Sequence, residues 1–320
     1  MSQSPALASL GTAFSVAEAR AAGLSYESLR SRRFEAPFHA TRIVRPPAAA
    51  EPMHPFELQR RRTVQLIHAL ARRLLPGQFM SHSSAALLWG APIPHRLGQV
   101  LHLSALSPAR APRVAGTVGH RIHPGRCEVD RIDGVPLSAP ATTWAMLGGL
   151  GASVSDLVVA GDYFARRYRA GHGRREVGRP PHASLDELRA VLELGRWSGI
   201  SRLARALELV REDSWSPQES LLRLNLREAG LPEPELNVDV HDDGGRFLAC
   251  LDLAYRSLKV GAEYHGLMHA ATYAQDVMRV EALRDDGWII IEVTKAGGSE
   301  STHTARRIER ALRSRGWAPS

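Results

Sequence analysis

The sequence predicts an α+β / α/β chain in three parts, residues 1–50, 51–213 and 214–320. Three observations support that division. The 320 residues are 44% hydrophobic and 23% charged, an ordinary globular composition on a chain long enough to bury a core. Two stretches rich in proline and glycine, 45–55 and 166–183, interrupt it. Proline fixes φ and has no N–H to donate, so the first stretch continues neither a helix nor a central strand. The charge balance changes sign near 213–217, and beyond that point the apolar pattern reads α-β-β-β-α-β-α.

The formal net charge is +8 and is unevenly spread. Residues 1–75 carry 11 basic and 5 acidic side chains, residues 76–213 carry 17 and 12, and residues 214–320 carry 13 and 16. A basic front implies a polyanionic partner, most simply nucleic acid. A GC-rich genome would give the same bias, since 39 of the 41 basic residues are arginine. Cys127 and Cys250 show no CxxC spacing, which excludes a disulfide-stapled fold and a cysteine-rich zinc site and points to a reducing cytoplasm. No targeting segment opens the chain. The most apolar stretch, 142–161, is broken by glycines and Asp156 and falls short of the ~20 apolar residues of a membrane span. The expectation is a cytoplasmic protein without a membrane partner.

In the first part, Ser15 and Glu18 have the spacing of a capping box, which starts a helix that Gly23 ends. Ser25 then caps a second helix over 26–33, and 34–44 forms a β wing carrying His39 and Arg42. Phe14-Ser15-Val16-Ala17-Glu18-Ala19, Ala22-Gly23-Leu24-Ser25 and Ala36-Pro37-Phe38-His39 resemble the winged helix-turn-helix of AbiEi-type antitoxins, which are transcriptional regulators. The resemblance implies a second helix that enters the major groove of double-stranded DNA and a wing that touches backbone. Arg30, Arg32 and Arg33 would then be DNA contacts, with His39 and Arg42 on the wing. A helical hairpin with a solvated arginine face is the plainer alternative.

The middle part predicts helices over 56–75 and 82–89, an alternating strand over 99–105 and a second strand holding His120 and Arg121. It resembles the remainder of the same antitoxin architecture through 81–90, 133–138 and 157–162. His82 is a candidate ligand or base, but no partners at ligand spacing accompany it, so packing at a helix end is the favoured reading.

The last part is the most explicit. Ser216-Pro217-Gln218-Glu219 opens a helix closed by Gly230, and strands follow over 235–241, 246–254 and 258–264. A helix over 272–284, a strand over 288–294 and a helix over 301–315 complete it. A tight turn at Ser257-Leu258 pairs Arg256 with Lys259, which sets Asp252 opposite Glu263, with Cβ atoms ~4.5–5.5 Å apart. His265, two residues on, shares that face, while Leu251, Leu253, Ala262 and Tyr264 occupy the other. Paired carboxylates repel unless a cation or a proton lies between them. Hard oxygen donors favour Mg²⁺ (or Mn²⁺), a combination suited to phosphodiester hydrolysis.

Residues 216–220, 230–234, Asp252-Leu253-Ala254, Glu263-Tyr264-His265-Gly266 with His269, and 283–288 resemble the endonuclease domain related to very-short-patch-repair (Vsr) nucleases, in the PD-(D/E)xK superfamily. The resemblance implies a restriction-endonuclease-like core with Asp252 and Glu263 as metal ligands. It further implies Glu219 as the acidic residue of the first helix and His265 and His269 as a histidine pair. Glu219 can equally be a helix cap. Two functions follow: a Mg²⁺-dependent DNA endonuclease, or a non-catalytic antitoxin-like regulator with a partner toxin and a degenerate nuclease fold. His265 at the superfamily's usual lysine position speaks for the second.

Overall fold

The computed structural model describes residues 7, 9–45, 53–174, 176–264, 273–293 and 298–319. The fold is mixed α/β, with three sheets among the described residues. The chain forms two compact units where the sequence suggests three parts. One unit joins Met1–Ala160 to Leu185–Leu207, and the other joins Gly161–Ser184 to Glu208–Ser320.

The first unit opens with β1 (Ala13–Ser15), α1 (Val16–Ala21), β2 (Phe34–Glu35) and β3 (Thr41–Val44). The capping box is made: Glu18 N donates to Ser15 Oγ at 3.1 Å and Ser15 N to Glu18 Oε2 at 2.7 Å. The expected helix over 26–33 is not formed. A single 3₁₀ turn, Ser28–Arg30, stands in its place, and Ser31 leaves it extended at ψ 158. Ser25 Oγ accepts Ser28 N at 3.0 Å and caps this single turn, as the sequence suggests. The three strands pair in the order β1-β3-β2, and Ala13 and Ile43 pack on Ala69 of α2 (Pro55–Ala71), which joins this module to the middle part.

There follow β4 (Gln78–Met80), α3 (His82–Leu88), β5 (Leu101–Leu106), β6 (Thr117–Ile122), β7 (Val129–Ile132), β8 (Val135–Ser138) and α4 (Pro140–Leu147). The strands form one sheet in the order β6-β5-β4-β8-β7. β5 is buried from Leu101 to Ala105 on both faces, so the expected half-buried alternation gives way to a central strand. Ile67, Leu70, Met80, Leu103 and Leu137 make the core beneath it. Beyond α5 (Val154–Ala165), α6 (Leu185–Glu193) and most of α7 (Ile200–Leu209) belong to this unit.

The second unit holds α8 (Pro217–Glu228), β9 (Glu235–His241), β10 (Phe247–Tyr255), β11 (Val260–Tyr264), α9 (Tyr273–Asp285), β12 (Ile289–Val293) and α10 (Gly298–Ser314). This is the element order the sequence predicts. Ser216 Oγ accepts Glu219 N at 3.2 Å and Pro217 occupies the first turn, where its missing N–H costs nothing. The sheet runs β12-β11-β10-β9, with β11 and β12 parallel. Leu222 and Leu226 of α8 and Ile308 and Leu312 of α10 cover one face over Leu253, Ala262 and Ile291. Leu283 of α9 packs with Leu251 and Trp288 in a separate cluster. Leu251 and Leu253 therefore do not share a core as expected. Asn237, in left-handed backbone at φ 50, lies between the paired positions Leu251↔Val238 and Leu253↔Leu236 and interrupts the alternation there.

Candidate functional site

The turn between β10 and β11 is a 3₁₀ turn, Arg256–Leu258, closed by Lys259 in left-handed backbone at φ 48. It sets Tyr255 against Val260 and Leu253 against Ala262 in antiparallel pairing. Asp252 Oδ2 accepts Tyr264 N at 2.7 Å. Glu263 is buried at 4% exposure and ion-paired with Arg279 of α9. Glu219 arrives from α8 at 6% exposure, and its Oε2 accepts Trp215 N at 2.8 Å and Asn237 Nδ2 at 2.6 Å. Burial pushes the Glu219 carboxyl up, and the charge of Asp252 adds to the rise. Glu219 thus ties down the start of its helix and also lies within electrostatic reach of Asp252. His265 and His269 lie outside the described residues.

The residues expected on DNA are placed only partly as expected. Arg30, Arg32 and Arg33 are exposed, but the 3₁₀ turn Ser28–Arg30 stands where the recognition helix was expected, while exposed His39, between β2 and β3, and Arg42, on β3, occupy the expected wing. Arg42 on β3 spends its guanidinium on main-chain carbonyls, Nε on Leu29 at 2.8 Å and Nη1 on Thr41 at 2.7 Å. It holds the 3₁₀ turn against the sheet.

A second cluster lies in the first unit. One ligand atom from each of His82, His102 and His120 falls within 4.8 Å of the other two, and no other such group occurs among the described residues. The carboxylate trio of the second unit does not reach that spacing. β5 and β6 run parallel with Ser104 beside His120, which puts His102 and His120 on one face. His102 Nδ1 lies 2.9 Å from His120 Nε2, and the His82 and His120 rings stack with centroids 3.9 Å apart. His82 begins α3 with φ 53, an uncommon conformation for a residue with a side chain. Ser104 Oγ donates to Ser81 Oγ at 2.8 Å, and Ser81 Oγ lies 3.0 Å from His82 Nδ1. Burial lowers the pKa of all three rings, His82 well below the usual range and His102 to about 4, so they stand neutral. Sequence reasoning missed this cluster and favoured packing for His82. The register of a parallel pair, which brings His102 to His120, leaves no mark in the sequence.

Two uncharacterized proteins of Mycobacterium tuberculosis, one from each of two strains, are 31% identical to this chain over 130 residues. The match covers 38% of the chain and 48% of each relative. The chain thus spans about half the length of the curated relatives it matches. No family model and no solved structure matches it.

Proposed function

We propose that the second unit hydrolyses DNA phosphodiester bonds with a divalent cation. One observation carries the reading: beyond the Leu253–Ala262 pair, Asp252 Oδ2 accepts Tyr264 N next to buried Glu263, and buried Glu219 lies within electrostatic reach of Asp252. The donor set fits the ion. Hard carboxylate oxygens are what Mg²⁺ or Mn²⁺ takes, and Asp252 and Glu263 would hold it. When bound, the cation lowers the pKa of a water and offsets charge on the phosphate. Glu219, its carboxyl pushed up by burial, lies within electrostatic reach of Asp252. Arg279, against Glu263, brings to the site a guanidinium of the kind that recognises phosphate. His265 and His269 remain the proposed proton carriers. In this reading the second unit is a restriction-endonuclease-like core. The front module would contact DNA phosphates through Arg30, Arg32 and Arg33.

A second reading, a non-catalytic antitoxin-like regulator with a partner toxin, is favoured by one contact. The Arg279 guanidinium already neutralises Glu263, the acid a metal would need. Incubation of supercoiled plasmid with Mg²⁺ or Mn²⁺ separates the two. The nuclease reading expects nicking by the wild type and none by Asp252→Ala, with His265→Ala slowed ~10²–10⁴-fold as for a lost general acid or base. No cleavage of any DNA form with either cation leaves the regulator.

A further inference from the structure

We propose that His82, His102 and His120 bind one divalent transition-metal ion, with its remaining coordination open to an anion held by neighbouring arginines. The site is independent of the carboxylates of the second unit. Imidazole nitrogens suit zinc, copper and nickel, whereas Mg²⁺ prefers oxygen.

Three features favour a site over incidental packing. The first is convergence: at a Zn–N length of ~2.0–2.1 Å, two nitrogens about 3.3 Å apart share one ion. His102 Nδ1 and His120 Nε2, now 2.9 Å apart, need to part only slightly. The second is support behind the ligand. Ser81 Oγ, which accepts from Ser104, can also accept Nδ1–H of His82, and that leaves Nε2 bare for the metal. The third is strain. A side chain in left-handed backbone is strained, and such outliers gather where function holds them. His82 keeps φ 53 where glycine or asparagine would sit at lower cost.

The anion follows from what lies beside the rings. His82 and His120 line a cavity of about 180 Å³ together with Arg121, Arg126 and Arg196. Arg126 lies over Trp197 at 4.6 Å from the ring centroid, and its buried Nε has no hydrogen-bond partner among the described residues. Three neutral ligands leave a divalent ion with its full charge, among arginines. Among the described residues no carboxylate completes the group. Hydroxide, phosphate or a carboxylate in the cavity would supply the missing negative charge.

The test uses the full chain carrying Asp252→Ala, stripped with chelator, so that the carboxylate site does not contribute. Co²⁺ is titrated by visible absorption and Zn²⁺ by calorimetry and competition. The expected result is one ion per chain, with d–d bands that shift on adding inorganic phosphate. His120→Ala should weaken binding beyond the ~10–100-fold that loss of an outer partner costs, and Ser81→Ala should fall within that range. Far-UV circular dichroism in chelator should match the parent for both. Absence of Co²⁺ and Zn²⁺ binding, or equal affinity in a folded His120→Ala, overturns the site. Spectra indifferent to phosphate overturn the anion.

Discussion

Asp162 and Arg223 hold opposite charges almost out of reach of water, at 1% and 0% exposure. Arg223 Nη2 lies 3.4 Å from Asp162 Oδ2 and donates to Leu209 O at 2.7 Å, while Nη1 donates to Glu233 Oε1 at 2.9 Å. Ser220 Oγ and Arg211 N also donate to Asp162, at 2.6 and 2.7 Å. Removing one member of such a group strands the other, so Arg223→Met should cost about 3–5 kcal/mol in denaturant unfolding. Burial nevertheless outweighs these partners and pushes Asp162 up to about 6, from an unfolded value of 3.8. The folded state therefore holds this proton more tightly than the unfolded state. The stabilisation is full below pH 3.8 and is lost as pH rises through about 6, a change on the order of 3 kcal/mol. Wild type measured against Asp162→Asn should show that decline between about pH 4 and 6 and a flat difference above it. A difference that grows with pH would mean that the ion pair dominates.

At the scale of one strand, β6 depends on a glycine. A Cβ on Gly119 would lie 1.8 Å from Pro112 O, a main-chain atom with no flexible end to move. Gly119→Ala must therefore push β6 away from that segment, at about 1–3 kcal/mol or more for an overpacked interior. His120 is the next residue, so the same variant should also weaken the proposed metal site, which the Co²⁺ spectrum would report. Gly261 on β11 is similar but milder: a Cβ there meets Leu251 Cδ1 at 2.7 Å and Ile290 Cδ1 at 3.1 Å, both ends of side chains. Gly261→Ala should cost less than Gly119→Ala in the same unfolding experiment. An equal cost would show that Pro112 yields as easily as a leucine side chain.

Across the whole chain, charge separates by sequence: residues 1–213 carry a net +11, while 214–320 carries a net −3. If the proposed reading holds, DNA is gathered mainly by the front of the chain. The arginines at 30, 32 and 33 stand exposed around a single 3₁₀ turn, a geometry for phosphates rather than base edges. Replacing all three with alanine should weaken duplex binding equally for unrelated sequences and reduce the salt slope by about one unit for each phosphate no longer neutralised. A change in sequence preference would restore the groove-reading helix, and an unchanged slope would take these residues off DNA. No helix among the described residues is long and apolar enough to cross a membrane.

Features that close over a few residues were legible in the sequence. Ser15 with Glu18 and Ser216 with Glu219 meet at helix starts because three positions make about one turn. The pairing of Tyr255 with Val260 and of Leu253 with Ala262 follows from a short turn whose length sets the register. The helix expected over 26–33 is cut to one turn, because Ser31 turns extended although Ser25 caps its start as the sequence suggests. Arrangements that join distant positions were settled by packing instead. Arg279 reaches Glu263 across a helix–sheet contact, and the first part and the middle become one unit through the packing of Ala13 and Ile43 on Ala69. His102 meets His120 because β5 and β6 run parallel. Parallel strands are joined by a crossover rather than a tight turn, so tertiary packing, not local sequence, sets their register.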